Sequence, residues 1–439
     1  MPRVLIAGGG LAGLSAAAAL GGAGFDVDLF EARAFLGGRA TSYPLPTAEG
    51  SEVIDNCQHV LLACFTNLLN LYERLGVRDR IRFFREFRFV EPGGRVSLLR
   101  AGSLPAPLHF LGSFAGLHFL GARDKLALAR GLRAIEREHG RRDDLDRITM
   151  LDWLREKRQT PRAIGRFWQQ VLVSAINEDL DRMAARHGFQ VFWQGFLARP
   201  DAYQMGLAAV PLGELYAARG LANTALHLRT PVDCFSVEGG RVTGALAGGE
   251  PHAADYYVCA LPFERVPAVA PALGLDVSAF EHSPITGIHL WFDRPVMEVP
   301  HATLLDRTIQ WAFNKGEGRY VQLVVSASRS LLAMGREAIV ELALGELREF
   351  FPAAREARLV KAHVVKEARA TFSARAGLDA LRPPARTAIP NLFLAGDWTR
   401  TGWPATMEGA VRSGYLAAEA VAEAAGRPER FVLDSEPRA

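Results

Sequence analysis

Cysteine is scarce in this 439-residue chain, and the four present (Cys57, Cys64, Cys234 and Cys259) show no C-x-x-C spacing. That excludes a disulfide framework and a cysteine-based zinc site, so no metal is expected, and it suits a reducing, cytoplasmic setting. Charge of one sign is also lacking. Against 51 Lys and Arg stand 48 Asp and Glu, a net of +3, too small an excess to argue for nucleic acid. No uninterrupted apolar run reaches the ~20 residues that span a bilayer. No internal repeat or low-complexity linker is visible, and no signal peptide is expected, because the first apolar run reads as a core strand. What remains is a chain with 49% apolar residues, which is globular, and long enough for two domains with sizeable cores.

The most informative stretch comes first. Val4 to Ala7 is a short apolar run of the kind buried on both faces of a parallel sheet. Gly8, Gly10 and Gly13 follow in G-x-G-x-x-G register, with Leu11 and Ala12 between the last two, and Leu14 to Leu20 has helical composition. Asp26 to Phe30 reads as a second strand that ends at Glu31, close to the ~20-residue spacing expected of a ribose-binding acid. The first glycine allows a tight turn, the second lets backbone approach a pyrophosphate, and the third lets helix pack closely on strand. The first-turn N–H groups and the dipole of the helix favour phosphate. A bare glycine triplet is weak evidence, but here it sits in a strand–turn–helix–strand–acid context.

Downstream of Glu31 and Ala32 comes a second glycine pair, Gly37-Gly38, followed by Arg39. This resembles the extended fingerprint of FAD-dependent oxidoreductases. Near the other end, Leu392 to Ala395 reads as a buried strand, Gly396 as a sharp turn, and Asp397 stands at the strand's carboxyl end. Pro404 is expected to open a helix running from Ala405 to about Ala425. The segment resembles the closing motif of the amine-oxidase and phytoene-desaturase flavoproteins. That resemblance implies FAD, with Asp397 at the ribityl or pyrophosphate region and the N–H groups of Thr406 and Met407 at the flavin edge. It also implies that the position of Val232, in a hairpin over 231–246, meets the adenine through its backbone. The expected fold is therefore α/β: a Rossmann-like FAD domain assembled from 1–75, 211–275 and 386–426. An α+β substrate domain with a helical cap is inserted as 76–210 and 276–385, and 427–439 is a polar, frayed tail.

Two further motifs narrow the resemblance. Asp55-Asn56-Cys57-Gln58-His59 and Asn177-Glu178-Asp179, with the Leu104-Pro105-Ala106-Pro107-Leu108 segment, look like the squalene-associated branch, the hydroxysqualene dehydroxylases. Cys57 stands where that branch is expected to have glycine. The resemblance implies reductive loss of an allylic hydroxyl, with hydride from reduced flavin, in squalene and hopanoid synthesis. It also implies an electron donor such as NADPH or a reductase. The departing hydroxyl needs a proton, and Asp55, His59 and Glu178 are the candidate catalytic acids, since carboxylates in apolar pockets stay protonated. Asn56, Asn177, Phe110 and Phe114 are candidate substrate contacts. Each of the polar residues has a plainer alternative as a turn former, a satisfied core histidine or a helix cap.

Residues 103–121 carry no formal charge and end at Arg123-Asp124-Lys125. Such a stretch either dips into one leaflet of the inner face of the cell membrane or lies buried beneath a lid. A triterpene in water would cost on the order of 20 kcal/mol at about 0.8 kcal/mol per CH2, which favours a membrane-linked route. The alternatives are a phytoene-type desaturase using oxidised FAD, an amine oxidase with an aromatic cage near Trp398 and Trp403, and a flavin-bound isoprenoid carrier without turnover.

Overall fold

The computed structural model describes residues 1–47, 50–217 and 220–434. Its first layer is a five-stranded parallel sheet in the order Thr224–Leu228, Asp26–Glu31, Arg3–Ala7, Tyr256–Cys259 and Leu392–Leu394. Strands from the start, middle and end of the chain thus make one sheet. The helix Leu11–Gly22 follows the first strand and packs on the last helix, Met407–Ala424. Their approach leaves no room for side chains at the crossing. A Cβ on Gly414 would lie 2.1 Å from both Ala12 O and Ser15 Oγ, and Ser15 Oγ donates to Val411 O at 3.1 Å.

Two expectations about the closing segment are corrected. The helix begins at Met407, not Ala405, because Thr406 caps it by accepting from Gly409 N–H at 3.1 Å. Pro404 therefore lies in the turn before the helix. The tail is not frayed as far as residue 434. The Phe431 and Val432 N–H groups both donate to Glu419 at 2.8 Å. Asn67 holds Leu433 in a reciprocal pair, 2.8 Å to its N–H and 3.0 Å to its carbonyl. Residues 435–439 lie outside the described residues.

The second layer is a seven-stranded sheet ordered Leu359–Phe372, His282–Phe292, Tyr320–Ser326, Trp311–Gly316, His301–Leu304, Phe87–Val90 and Val96–Leu99. Its two faces alternate with period two. Ile288, Leu290, Val321, Leu323, Ala302 and Leu304 share one core with Ile339, Ala343 and Leu347 of the helix Arg336–Phe350. The opposite face presents Gly287, His289, Gln322, Phe313, Trp311 and His301. A Cβ on Gly287 would lie 3.3 Å from Cys57 Sγ, so this face is turned towards the Asp55–His59 segment.

Helices Ala122–Glu138, Met150–Glu156, Gln169–Ile176 and Ala185–Phe192 form a cap around Trp153, Trp168, Phe189 and Phe192. Thr149 accepts from Asp152 N–H and Thr160 from Ala163 N–H, each capping a helix here. Trp311 Nε1 donates to Ser174 Oγ at 2.8 Å, which ties the cap to the sheet. Among the described residues no helix is long and apolar enough to cross a membrane.

Candidate active site

At the carboxyl end of the strand Arg3–Ala7 the glycines are dictated by contact. Gly8 has φ +110°, and a Cβ there would meet Ala260 O at 2.7 Å. A Cβ on Gly13 would lie 1.8 Å from Gly8 O. Gly10 is the N-cap of the first helix and offers no side-chain acceptor. The Leu11, Ala12 and Gly13 N–H groups, without intrahelical acceptors, are thereby left for an anion. The second pair lies over the first: Gly37 N–H donates to Gly9 O at 2.9 Å, and a Cβ on Gly38 (φ +63°) would come within 3.0 Å of Gly10 Cα. Glu31 accepts from Gly9 N–H at 2.7 Å and Arg33 N–H at 2.8 Å, which fixes its carboxylate beside the glycine turn and Ala32. Thr230 N–H donates to Glu31 O at 2.9 Å, so Val232 begins its strand near the same acid.

The closing motif joins this cradle from the far end of the chain. Asp397 pairs with Arg39 at 2.8 Å, and Arg39 also donates to Ala370 O at 2.8 Å. Gly396 adopts φ +145°, and a Cβ there would strike Trp398 Nε1 at 2.4 Å. Trp398 donates instead to Leu261 O at 3.0 Å, and Trp403 packs edge-on against Phe65. The two tryptophans therefore do not pair as an aromatic cage. Arg382, fully buried, sews the loop together by donating to Asp397 O at 2.8 Å, Trp403 O at 2.7 Å and Thr401 Oγ1 at 2.9 Å. Nothing local in the sequence marks Arg382 for that role.

The Asp55–His59 segment differs in chemistry from expectation. Asp55 accepts from Ser42 Oγ at 2.7 Å, Leu212 N–H at 2.9 Å and the Lys315 ammonium at 2.9 Å. Burial pushes its pKa up, but Lys315 and these hydrogen bonds outweigh burial and hold it below the usual carboxylate range. Asp55 is an ionised acceptor, not a stored acid. His59 Nδ1 faces Cys57 O at 3.0 Å. A carbonyl only accepts, so Nδ1 carries the proton and Nε2 keeps its lone pair. Burial lowers the His59 pKa, which leaves the ring neutral and suited to accept a proton rather than deliver one. Asn56 donates to Arg39 O at 3.4 Å and Glu367 at 3.2 Å, and so bridges this segment to Arg39. Burial, then the Glu367 charge, pushes the Cys57 thiol up to about 12, so it is no nucleophile.

Glu178 and Asn177 are both engaged by neighbours from the cap and the sheet. Glu178 is sealed from solvent. It accepts from Arg329 at 2.7 Å, Asp179 N–H at 2.9 Å and Ser373 Oγ, and lies 3.3 Å from Arg182. Asn177, at φ +59°, ends the helix Gln169–Ile176. It donates to Ser283 O at 3.1 Å and Thr371 Oγ1 at 2.9 Å and accepts from Ala327 N–H at 2.7 Å. Both residues stitch the cap to the sheet. Phe114 packs on the same hydrophobic core, and Phe110 joins an aromatic wall: Tyr203 at 4.8 Å and Phe196 at 6.0 Å, then Phe87 to Trp311 at 6.3 Å and Trp311 to Phe313 at 5.6 Å. From Phe313 the strand reaches Lys315, and hence Asp55.

A phosphate cradle at one end and an acidic ribose site beside it, closed by a C-terminal Gly-Asp turn, define a dinucleotide-dependent oxidoreductase. The family described as flavin containing amine oxidoreductase matches residues 11–422, and the chain belongs to that family; its cofactor is FAD. The cradle fits this group, since Gly10 and Gly38 leave backbone rather than side chains at the pyrophosphate position. Among curated relatives, the zeta-carotene desaturase of Synechocystis sp. is 27% identical over 492 aligned positions, covering 99% of this chain and 100% of the relative. The 15-cis-phytoene desaturase of Synechococcus elongatus is 27% identical, covering 95% of each. Cyclohexylamine oxidase from Brevibacterium oxydans shares the fold with TM-score 0.68 and 19% identity, over 97% of this chain and 100% of that one.

Proposed function

We propose that this flavoprotein moves a hydride between FAD and an allylic carbon of a long, linear polyisoprenoid. The aromatic wall carries this reading, because it leads from Phe110, inside the uncharged 103–121 stretch, to the strand whose Lys315 holds Asp55. FAD, when bound, supplies the two-electron acceptor or donor. Desaturation is the direction the site favours. With one hydrogen lost as hydride, a neutral His59 takes the single proton lost from the neighbouring carbon at Nε2, the Asp55–Lys315 pair fixes the charge around it, and the apolar wall keeps water from the electron-deficient carbon. The desaturase names of the relatives support the same direction. Reductive dehydroxylation of hydroxysqualene is the second reading. One observation favours it: Lys315 donates to Asp55 and Gln58, at 2.9 and 3.1 Å, and an ammonium has a third N–H to offer a departing hydroxyl. That direction needs a reductant such as NADPH or a partner reductase.

The deciding experiment is anaerobic. Oxidised enzyme is mixed with phytoene or zeta-carotene, and chemically reduced enzyme with hydroxysqualene, while flavin absorbance and extracted lipids are followed. Bleaching with a new double bond establishes desaturation. Reoxidation in step with squalene establishes dehydroxylation. Lipid binding without any redox change leaves a carrier, and no response to any lipid removes the proposal.

The same reading makes the 103–121 stretch a docking edge on a membrane surface. Leu104, Leu108 and Leu111 are 45%, 55% and 56% exposed, and Arg123 and Lys125 follow the stretch in sequence. Vesicle co-sedimentation tests this. Leu108→Glu with Leu111→Glu abolishes pelleting if the edge docks, and unchanged pelleting removes the edge.

A further inference from the structure

Between the strand Leu392–Leu394 and the helix Met407–Ala424 the chain forms neither helix nor strand, yet it is largely buried. Asp397, Trp398, Thr401 and Trp403 are all less than a tenth exposed. Backbone carbonyls in such a segment have no ladder partner and need donors from elsewhere. Arg382 supplies them. It is 0% exposed, and each of its five N–H groups has an acceptor. Nε donates to Trp398 O at 3.3 Å. One Nη donates to Trp403 O and to Asp379 Oδ1, each at 2.7 Å. The other donates to Asp397 O at 2.8 Å and Thr401 Oγ1 at 2.9 Å. The guanidinium also lies over the Phe372 ring at 5.1 Å, at the end of the strand whose Ala370 O receives Arg39.

A cation buried so completely needs a carboxylate, and Asp379 is the one bonded to it. The second oxygen of Asp379 receives Arg186 at 2.5 Å. Arg186 opens the cap helix Ala185–Phe192 as its second residue. Directional contacts therefore run from the cap helix through Asp379 and Arg382 to the carbonyl of Asp397. The carboxylate of the same Asp397 holds Arg39 beside the second glycine pair. Loosening either end strands a buried donor or acceptor, so the two ends are not independent. The role suits a planar fork of five donors. A lysine offers three from one point and cannot reproduce it.

We propose that Arg382 is a positioning residue for FAD. It shapes the Asp397–Trp403 turn from behind. Through Asp379 it also joins that turn to the cap, so that FAD binding and cap docking reinforce each other. The coupling is reciprocal: what the docked cap adds to FAD affinity, FAD adds to cap docking. It holds for hydride transfer in either direction and for any substrate.

The test uses the full chain, stripped of FAD and titrated with it. Flavin fluorescence reports affinity, and amide hydrogen exchange reports the helix Ala185–Phe192. In wild type, FAD is expected to slow exchange in that helix. Arg382→Met is expected to bind FAD at least about tenfold more weakly, and Arg382→Lys not to restore the affinity. Asp379→Asn, saturated with FAD, is expected to keep the slowed exchange over Leu11–Gly22 and to lose it over Ala185–Phe192. Should Arg382→Met fold poorly, Thr401→Val removes a single acceptor and is expected to weaken FAD binding severalfold. A lower melting temperature with unchanged FAD affinity in the folded fraction makes Arg382 a residue of the fold alone and overturns the proposal. Full recovery in Arg382→Lys, or unchanged affinity in Thr401→Val, overturns it too. Wild-type exchange over Ala185–Phe192 that ignores FAD, or slowing that survives in Asp379→Asn, overturns the link to the cap. None of these readouts involves a lipid, so the hydride-transfer reading stands or falls separately.

Discussion

The cofactor cradle and the inner face of the seven-stranded sheet solve opposite problems. In the cradle, recognition is done by backbone. Gly8, Gly10, Gly13 and Gly38 bring main chain so close that a Cβ on Gly13 would overlap Gly8 O at 1.8 Å. The polar side chains there are engaged: Glu31 with two N–H groups, and Asp397 with Arg39. On the sheet face the polarity lies in side chains, and His301, Thr303 and Gln322 have polar atoms without partners among the described residues. The contrast separates two regions within one molecule. The part that holds the cofactor is locked by geometry, whereas the sheet face keeps buried polar atoms unpaired at a cost in stability.

Perturbations of the two regions should differ in kind. The largest effect is expected at Gly13→Ala, where the added methyl cannot fit against Gly8 O. The purified protein, if any, carries no flavin absorbance, and a normal flavin content would refute the cradle. Next is His59→Ala, expected to retain FAD and to lose about 10²- to 10⁴-fold in turnover, the usual worth of a positioned base. Turnover within a few fold of wild type would remove His59 from the chemistry. Lys315→Met leaves the Asp55 carboxylate buried without its cation. A loss of about 3–5 kcal/mol is expected in denaturant unfolding, the penalty for breaking a buried pair from one side.

The smallest effect is a slope. Burial holds His289 at about 3 and His301 at about 4, against 6.5 for an exposed ring. Below pH ~6.5 the unfolded chain takes up protons that the folded rings refuse, so stability falls as pH falls from there towards 4. His301→Leu should reduce that slope by about 1.4 kcal/mol per pH unit. An unchanged slope would mean that His301 is protonated in the folded protein.

Legibility in the sequence follows chain distance. The first strand, the glycine turn, the first helix and Glu31 lie within one short segment and constrain one another locally, so their pattern survives reading in one dimension. Asp55 can be located from its motif, but its protonation state cannot, because the ammonium that ionises it lies 260 residues away at Lys315. Glu178 reads as a stored acid for the same reason. Its partners Arg329 and Ser373 stand 151 and 195 residues further on, and only the folded chain turns it into a tie between cap and sheet. His301 and Thr303 lie in an unremarkable four-residue strand. Which way they point depends on the face that Ala302 and Leu304 take, and no local spacing reveals that. The closing helix starts two residues later than its sequence suggests, because Thr406 caps it and leaves Pro404 in the preceding turn.

The first layer also dictates how the protein is made. Its parallel sheet has the strand Arg3–Ala7 at the centre and Leu392–Leu394 at an edge. At about 5–20 residues per second, a ribosome takes roughly 20–80 s to travel from Gly13 to Asp397. Throughout that interval the earlier strands of this sheet emerge without their final neighbour, and the helix Leu11–Gly22 waits for the helix that covers it. FAD loading is therefore a late event in the life of each chain. Truncated or stalled products ending before residue 392 present an open sheet edge, the kind of surface that chaperones hold and proteases clear.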